Sequence, residues 1–394
     1  MSSVGIICEY NPFHNGHLRQ ISLIRKRGID TVVCVMSGNV TQRGEFACAD
    51  KYIRAEAALL SGADLVLELP YPYSAASAEF FAAAGVCALD ALGVDEINFG
   101  SESGDERRLK AIAEATSTKE FSELYGNILS DSPELGSAAA YEEACQKTLG
   151  GEFLGGSNDL LALSYFRAAI RAKIETPLTV TKREGAGYSE TDICNFEYPS
   201  ATGIRNLLEK GEFAKAFSYM PSESAEVYRT ALESDRFPTD MNKIESAILS
   251  FFRLTDPEML EDIAEASGGV AQRLCSAAKK ATDLRSFFEL AATKRYTDAR
   301  LRRTVLFCMT GVKALDIRST PEYLTLLAAN EKGRKFLSAR KTDGITVVTK
   351  PADAPDGRQK YLSQKADELY TLTLPKVCAS ATYLRCSPKI LEKD

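Results

Sequence analysis

The first hundred residues alternate short apolar, β-branched runs with segments of helical period, and no other feature limits the possible folds as strongly. The runs are Val4–Cys8, Thr31–Met36, Asp64–Leu69 and Glu96–Phe99. Helical spacing occupies His17–Lys26, Lys51–Leu60 and the alanine-rich Ala75–Leu92 between them. Strands separated by amphipathic helices predict a parallel sheet with crossover helices. Beyond Asp105 the pattern is helical to about Gly150, and the glycine-rich stretch Gly150–Gly156 precedes a helix from about Asn158 to Ile174. Pro177–Lys182 reads as one more strand, and Ser200–Lys210 as a helix opened by a polar cap. From about Gly211 helical periodicity prevails to Gly333, including Asn242–Arg253 and Leu301–Gly311. Ile345–Thr349 is a short strand candidate, Ala366–Leu372 a helix candidate, and the last ten residues are expected to fray. The expectation is an α/β domain over residues 1–210 and a mostly α-helical domain over residues 211–394.

The chain of 394 residues has room for two or three domains at roughly 100–200 residues each. No run approaches the ~20 apolar residues of a membrane span, so no membrane partner is expected. The opening Met1–Tyr10 lacks the basic start of a signal peptide, and a cytoplasmic location follows. Ten cysteines include no CxxC pair, and Cys8 and Cys34 fall in apolar runs, which reads as buried free thiols. Two histidines without a thiol pair do not make a tetrahedral zinc site. The net charge of −6 argues against nucleic acid, but its distribution argues otherwise. Residues 1–210 carry 19 basic and 29 acidic side chains, a balance of −10, whereas residues 211–394 carry 29 and 25, a balance of +4.

The sharpest motif is Glu9-Tyr10-Asn11-Pro12-Phe13-His14-Asn15-Gly16-His17, between the first strand and the first helix. Open α/β sheets bind ligands at the carboxyl ends of strands, beside helix N-termini that carry unpaired N–H groups. Gly16 lets a nucleotide come close to the backbone, and Pro12 stiffens the turn. Both histidines of the chain lie here, three apart, on one face of the first helical turn. Two imidazoles so placed donate hydrogen bonds to a phosphate whose charge grows during displacement, and fixed donors of that kind are usually the largest catalytic term. His14 and His17 are therefore the expected catalytic residues.

His14-Asn15-Gly16-His17 resembles the HxGH motif of the nucleotidyltransferase superfamily. Cys8–His17 as a whole is more similar still to bacterial tRNA(Met) cytidine acetate ligases. So is Met36-Ser37-Gly38-Asn39-Val40-Thr41-Gln42-Arg43-Gly44. So are Gly62-Ala63-Asp64-Leu65-Val66-Leu67-Glu68-Leu69-Pro70 and Asn98-Phe99-Gly100-Ser101-Glu102. Ser157-Asn158-Asp159, Lys182-Arg183 and Lys294-Arg295-Tyr296-Thr297 extend the resemblance over most of the chain. It implies a Rossmann-like HxGH nucleotidyltransferase domain. It also implies activation of acetate by ATP and acetylation of N4 of the wobble cytidine in elongator tRNA(Met). Such chemistry needs no covalent nucleophile, and the sequence has no GxSxG elbow. Mg2+ is expected with the ATP, without a visible carboxylate cage.

The resemblance places ATP contacts on Ile7-Cys8-Glu9-Tyr10-Asn11-Pro12-Phe13-His14-Asn15-Gly16-His17-Leu18-Arg19-Gln20, and on Gly100, Asn158 and Arg183. Read from the residues alone, Gly100 is either a bare backbone beside a ribose or a turn glycine. Asn158 is a contact or an N-cap, and Arg183 a phosphate clamp or a surface arginine. Pro199-Ser200-Ala201-Thr202-Gly203-Ile204-Arg205 resembles the S-x-T-x-I-R string that holds outgoing phosphates in adenylyltransferases, and its hydroxyls read equally as caps. No KMSKS-like string is present, which argues against a synthetase. Arg43 meets acetate or phosphate, or pairs with an acid. Asp64 and Glu68 read as buried polar anchors.

Lys294-Arg295-Tyr296-Thr297-Asp298-Ala299-Arg300-Leu301-Arg302-Arg303 holds five basic residues and one acid. On a helix, Arg295, Arg302 and Arg303 would share one side, either to follow a phosphate backbone or as a solvated charged face. Two other functions stay open at this point. One is a cofactor-pathway adenylyltransferase acting on a small molecule; the other is a non-catalytic nucleotide- or RNA-binding protein.

Overall fold

The computed structural model describes residues 2–132, 135–150, 156–184, 200–293, 295–340 and 344–392. The five strands read from the sequence up to residue 182 pair in one sheet: Ser3–Cys8 (β1), Thr31–Ser37 (β2), Leu65–Leu69 (β3), Glu96–Ser101 (β4) and Leu178–Lys182 (β5). All their pairings are parallel. Three later strands extend the sheet beyond β3: Tyr323–Ala329 (β6), Thr346–Val348 (β7) and Lys389–Ile390 (β8). The order is β5-β4-β1-β2-β3-β6-β7, with β8 also on β6. β6 runs antiparallel to β3.

The crossover helices are Asn15–Lys26 (α1), Lys51–Leu60 (α2) and Ala78–Ala91 (α3). Glu106–Ala115 (α4), Lys119–Asp131 (α5), Ser137–Leu149 (α6) and Ser157–Ala172 (α7) lie between β4 and β5. Ala201–Glu209 (α8), Phe213–Phe217 (α9), Ser222–Glu233 (α10) and Glu245–Leu254 (α11) follow β5. Val270–Lys280 (α12), Leu284–Ala291 (α13) and Asp298–Thr310 (α14) lead to β6, with Glu331–Ala339 (α15) and Arg358–Thr371 (α16) beyond it.

Successive strand side chains point to opposite faces, and the core divides accordingly. Val4, Ile6 and Cys8 of β1, with Val32, Cys34 and Met36 of β2, face a cluster that includes residues of α2, α8, α10, α14 and α16. Ile7, Val33 and Val35 face the opposite cluster with residues of α3, α4 and α7. Strands covered on both faces need apolar residues at every position, which explains their unbroken apolar runs.

Two expectations need correction. The part after residue 211 is helical as read, but β6, β7 and β8 return to the sheet, and one apolar cluster joins Val4 to Tyr383. The tail does not fray through its last ten residues: Lys389 and Ile390 pair with Ala328 and Ala329. Buried Tyr383, with its ring 5.9 Å from that of Tyr370, anchors it.

Candidate active site

From β1 the chain steps outward to β2 and β3, then crosses to the other side for β4 and β5. Connections leave β1 and β4 in opposite directions, so a crevice opens at their carboxyl ends. The cavity there takes His14 and His17 from the start of α1, Gly100 from β4, and Arg183 just past β5. α7 contributes Asn158 and Tyr165, the loop after β2 contributes Gln42 and Arg43, and Ser200, Thr202 and Arg205 come from the start of α8.

The histidine pair caps its own helix. His14 is the N-cap of α1, and its Nδ1 accepts the Gly16 N–H at 3.0 Å. His17 Nδ1 accepts the His14 N–H at 3.3 Å. An imidazole nitrogen that accepts carries no proton, so the neutral ring holds its proton on Nε2. The rings stack with centroids 3.8 Å apart. Both are kept neutral: burial, then the nearby Arg183 and Arg205 guanidiniums, push His14 down to about 3. Burial, His14 and Arg183 hold His17 well below the ordinary histidine value. His14 Nε2 is buried and has no hydrogen-bond partner within the protein. A buried donor without a partner is costly unless a ligand meets it.

This geometry revises two expectations about the motif. The first amides of α1 are not left for phosphate. Asn15 N–H donates to the Tyr219 carbonyl at 3.0 Å, Gly16 N–H to His14 Nδ1, and His17 N–H to the His14 carbonyl at 2.9 Å. What the motif brings to the cavity is two imidazoles that carry their protons on Nε2. Gly16 is required for a different reason too: a Cβ there would lie 2.8 Å from the His14 ring, so glycine makes room for the imidazole that caps it.

The turn before the pair is clamped from several elements. Tyr10 takes a left-handed φ of 45°, an uncommon conformation for a bulky residue. Fully buried Arg54 donates to the Glu9 carbonyl at 2.6 Å and to the Ser37 carbonyl at 3.0 Å. Asn11 Oδ1 accepts the Cys48 N–H at 2.8 Å, and Arg205 donates to the Asn11 carbonyl at 2.9 Å. Glu9 Oε1 accepts the Gln42 N–H at 2.8 Å. Burial pushes the Glu9 carboxyl up, against the pull of Gln42, Arg205, Arg54 and Arg43. Below the loop, Lys51 Nζ lies 2.8 Å from Glu68 Oε1 and 2.8 Å from Asp367 Oδ2, all buried. Asp64 accepts the Val32 N–H at 2.7 Å and pairs with Arg25. Glu68 and Asp64 are thus the polar anchors their sequence setting predicts.

Of the residues read from the sequence, Ile7, Cys8, Glu9, Tyr10, Asn11, His14, His17 and Gln20 line the cavity with Gly100, Asn158 and Arg183. Gly16 and Arg19 line an adjoining recess that shares both histidines. Pro12, Phe13, Asn15 and Leu18 line neither. Phe13 turns into the core, where its N–H donates to the Tyr228 hydroxyl at 3.1 Å, and Leu18 packs on the same core. Gly100 is a close approach: a Cβ there would lie 3.2 Å from the Arg183 side chain. Asn158 is not an N-cap, since Gly156 is. Its backbone N–H donates to Glu102 Oε1 at 3.0 Å, and Asp159 N–H to Glu102 Oε2 at 2.7 Å, so that carboxylate occupies the start of α7. Residues 151–155, Pro199 and Lys294 lie outside the described residues. Ser200 caps α8 through the Gly203 N–H at 3.1 Å and also lines the cavity.

The basic segment is only partly the shared face expected. α14 starts at Asp298, so Arg295 precedes it. Arg303 is buried in an ion pair with Glu265 at 2.8 Å. Arg302 stands 3.6 Å from Glu45, which lines the cavity. Arg54, Glu102 and Tyr165 carry no local sequence signal of a functional role.

The family model described as HIGH Nucleotidyl Transferase matches residues 1–383. The tRNA(Met) cytidine acetate ligase of Listeria monocytogenes is 35% identical over 382 residues, covering 94% of this chain and 95% of that protein. The Thermotoga maritima protein of that name is 33% identical, covering 94% and 95%. The crystal structure of Thermotoga maritima TmcAL without ligand superposes with a TM-score of 0.91 at 31% identity, over 100% of both chains. The structure of that protein bound with alpha-thio ATP gives 0.89. With the histidine pair at the switch point of the same sheet, the chain belongs to the tRNA(Met) cytidine acetate ligase family of HIGH nucleotidyl transferases.

Proposed function

We propose that this chain joins acetate to AMP, using ATP and releasing pyrophosphate, and then transfers the acetyl group to N4 of the wobble cytidine of elongator tRNA(Met). It is an AMP-forming ligase in this reading. Acetate alone does not acylate an amine, because oxide is a poor leaving group; the adenylate replaces it with AMP. The observation that carries the reading is the pair of neutral imidazoles at the β1–β4 switch point, His14 buried and His17 half-buried, with Arg183 and Arg205 beside them. The arginines attract the triphosphate, and the Nε2–H donors meet the α-phosphate as its charge concentrates in the displacement. The retained ATP contacts are the cavity residues of Ile7–Gln20, with Gly100, Asn158 and Arg183.

No group of three or more His, Cys, Asp or Glu side chains among the described residues can cage a metal. The Mg2+ that accompanies ATP would ride on the phosphates and water.

Residues 1–210 form the catalytic part in this reading, and the helices after residue 211, with their positive balance, hold the tRNA. The contact of Arg302 with Glu45 brings the basic segment to the cavity rim. No described helix is long and apolar enough to cross a membrane, and we place the reaction in the cytoplasm, where tRNA is. The test is incubation with ATP, labelled acetate and bulk bacterial tRNA, followed by nucleoside analysis. Labelled N4-acetylcytidine is expected. Acetate-independent pyrophosphate exchange with a nucleotide-like acceptor would instead make it a small-molecule adenylyltransferase. Absence of both activities would leave a binding protein.

A further inference from the structure

Acetyl transfer to an exocyclic amine leaves a proton to be placed. The N4 lone pair of cytosine is delocalised into the ring, so the amine attacks weakly, and the nitrogen becomes acidic as the new bond forms. A positioned base contributes about 10²–10⁴ in rate to such a step. Both histidines use Nδ1 as an acceptor for a backbone N–H and carry their proton on Nε2. The arginine side chains offer only donors. Burial pushes the Cys8 thiol and the Tyr10 and Tyr165 hydroxyls up, so they keep their protons. Two carboxylates remain, Glu9 and Glu45. Glu45 sits towards Arg302 of α14. Glu9 follows β1 directly, at the switch point, with Oε1 fixed by the Gln42 N–H at 2.8 Å.

This inference rests on the function proposed above. We propose that Glu9 is the proton acceptor for acetyl transfer, through Oε2. The N4 lone pair adds to the acetyl carbonyl carbon and the C–N bond forms. The bond from that carbon to the AMP phosphate oxygen breaks, and its electron pair leaves with AMP. The N4 proton passes to Glu9 and then to water. Arg43 from the loop after β2, Arg54 from α2, Arg205 from α8 and Tyr165 from α7 face the carboxyl group. The guanidiniums favour its ionised form, while burial raises its basicity above that of an exposed glutamate.

Glu9→Gln tests this, because its amide oxygen can still accept the Gln42 N–H but cannot take a proton. Acetate-dependent ATP–pyrophosphate exchange reports the first step. Single-turnover transfer from synthetic acetyl-adenylate to tRNA(Met) transcript reports the second. The expected result is a loss in transfer about 10²–10⁴-fold greater than the loss in exchange. Wild-type transfer should also rise with pH through one ionisation that the variant lacks, and Glu9→Asp should recover part of the rate. Transfer at the wild-type rate in Glu9→Gln overturns the proposal and assigns the proton to the departing phosphate. Equal losses in both steps overturn it too, and make Glu9 a positioning residue for the Gln42 loop. The wild-type pH profile needs no variant to fold, and a flat one refutes the proposal. Failure of the wild-type enzyme to exchange with acetate at all would count against the function instead.

Discussion

Replacing His14 separates two jobs that one ring performs. Its Nδ1 caps α1, and its buried Nε2–H, on a ring that lines the cavity, has no protein partner. Removing an N-cap acceptor costs about 0.5–2 kcal/mol of stability. Losing one fixed donor to a developing charge costs about 2.7–4 kcal/mol of barrier, or 10²–10³ in rate. His14→Ala should show both losses. His14→Asn should show only the second, since its Oδ1 falls near the place of Nδ1 and can accept the Gly16 N–H, while nothing replaces the Nε2 donor. Urea unfolding measures the first quantity and acetate-dependent pyrophosphate exchange at saturating ATP the second. If His14→Asn exchanges at close to the wild-type rate, the donor argument is wrong. If His14→Ala is as stable as wild type, the capping argument is wrong.

Acid should destabilise the fold through the same pair. Unfolded imidazoles bind a proton near pH 6.5, whereas His14 in the fold does so at about 3. Between those values the unfolded chain binds more protons, so stability falls as pH drops, by about 1.4 kcal/mol per unit for each neutral histidine. Urea titrations from pH 7 to 5 should show a slope that is shallower in His14→Asn; an identical slope would contradict neutral burial. Lys51→Met should lower unfolding free energy by about 3–5 kcal/mol, because Glu68 and Asp367 would keep buried carboxylates without their cation. Denaturant midpoints check this, and a near-neutral effect would mean that the carboxylates shed their charge cheaply. Arg295→Glu should weaken tRNA binding and lower its salt slope by about one without altering exchange in the absence of tRNA. Unchanged affinity at low salt would remove Arg295 from the interface.

The sheet through β5 was legible because each run has a short apolar length bounded by turn residues and followed by a helical period. β6 was not. Tyr323–Ala329 is a buried apolar run with leucine and alanine in it, and such a run reads equally well as buried helix. Only its pairing with β3, across more than half of the chain, decides the matter. The same distinction divides the site. His14, Gly16 and His17 stand together in sequence and so declare themselves. Lys51 and Asp367 meet across 316 residues, and Arg54 reads as one more polar position on an amphipathic helix. Even within the legible motif the reasons differed from those expected. Gly16 makes room for an imidazole, and the first amides of α1 are already bonded.

That last difference bears on how the site separates binding from catalysis. In the proposed reaction, cationic groups such as Arg183 and Arg205 would attract a triphosphate in its ground state as well as in the transition state, so much of their contribution would go into affinity. A neutral donor pulls less on the resting phosphate and gains as negative charge gathers on the oxygens, which raises turnover. In the proposed reaction neutrality is therefore a working property of His14 and His17, and desolvation is its largest cause. The motif's own aromatic residues pack beside His17: the Tyr10 ring centroid lies 4.8 Å from it, and that of fully buried Phe13 lies 5.5 Å from it. Tyr10 already lines the cavity. Phe13 does not line it, yet in the proposed reaction it would still act on the chemistry, because its ring packs beside the imidazole whose protonation would turn a transition-state donor into one more ground-state cation.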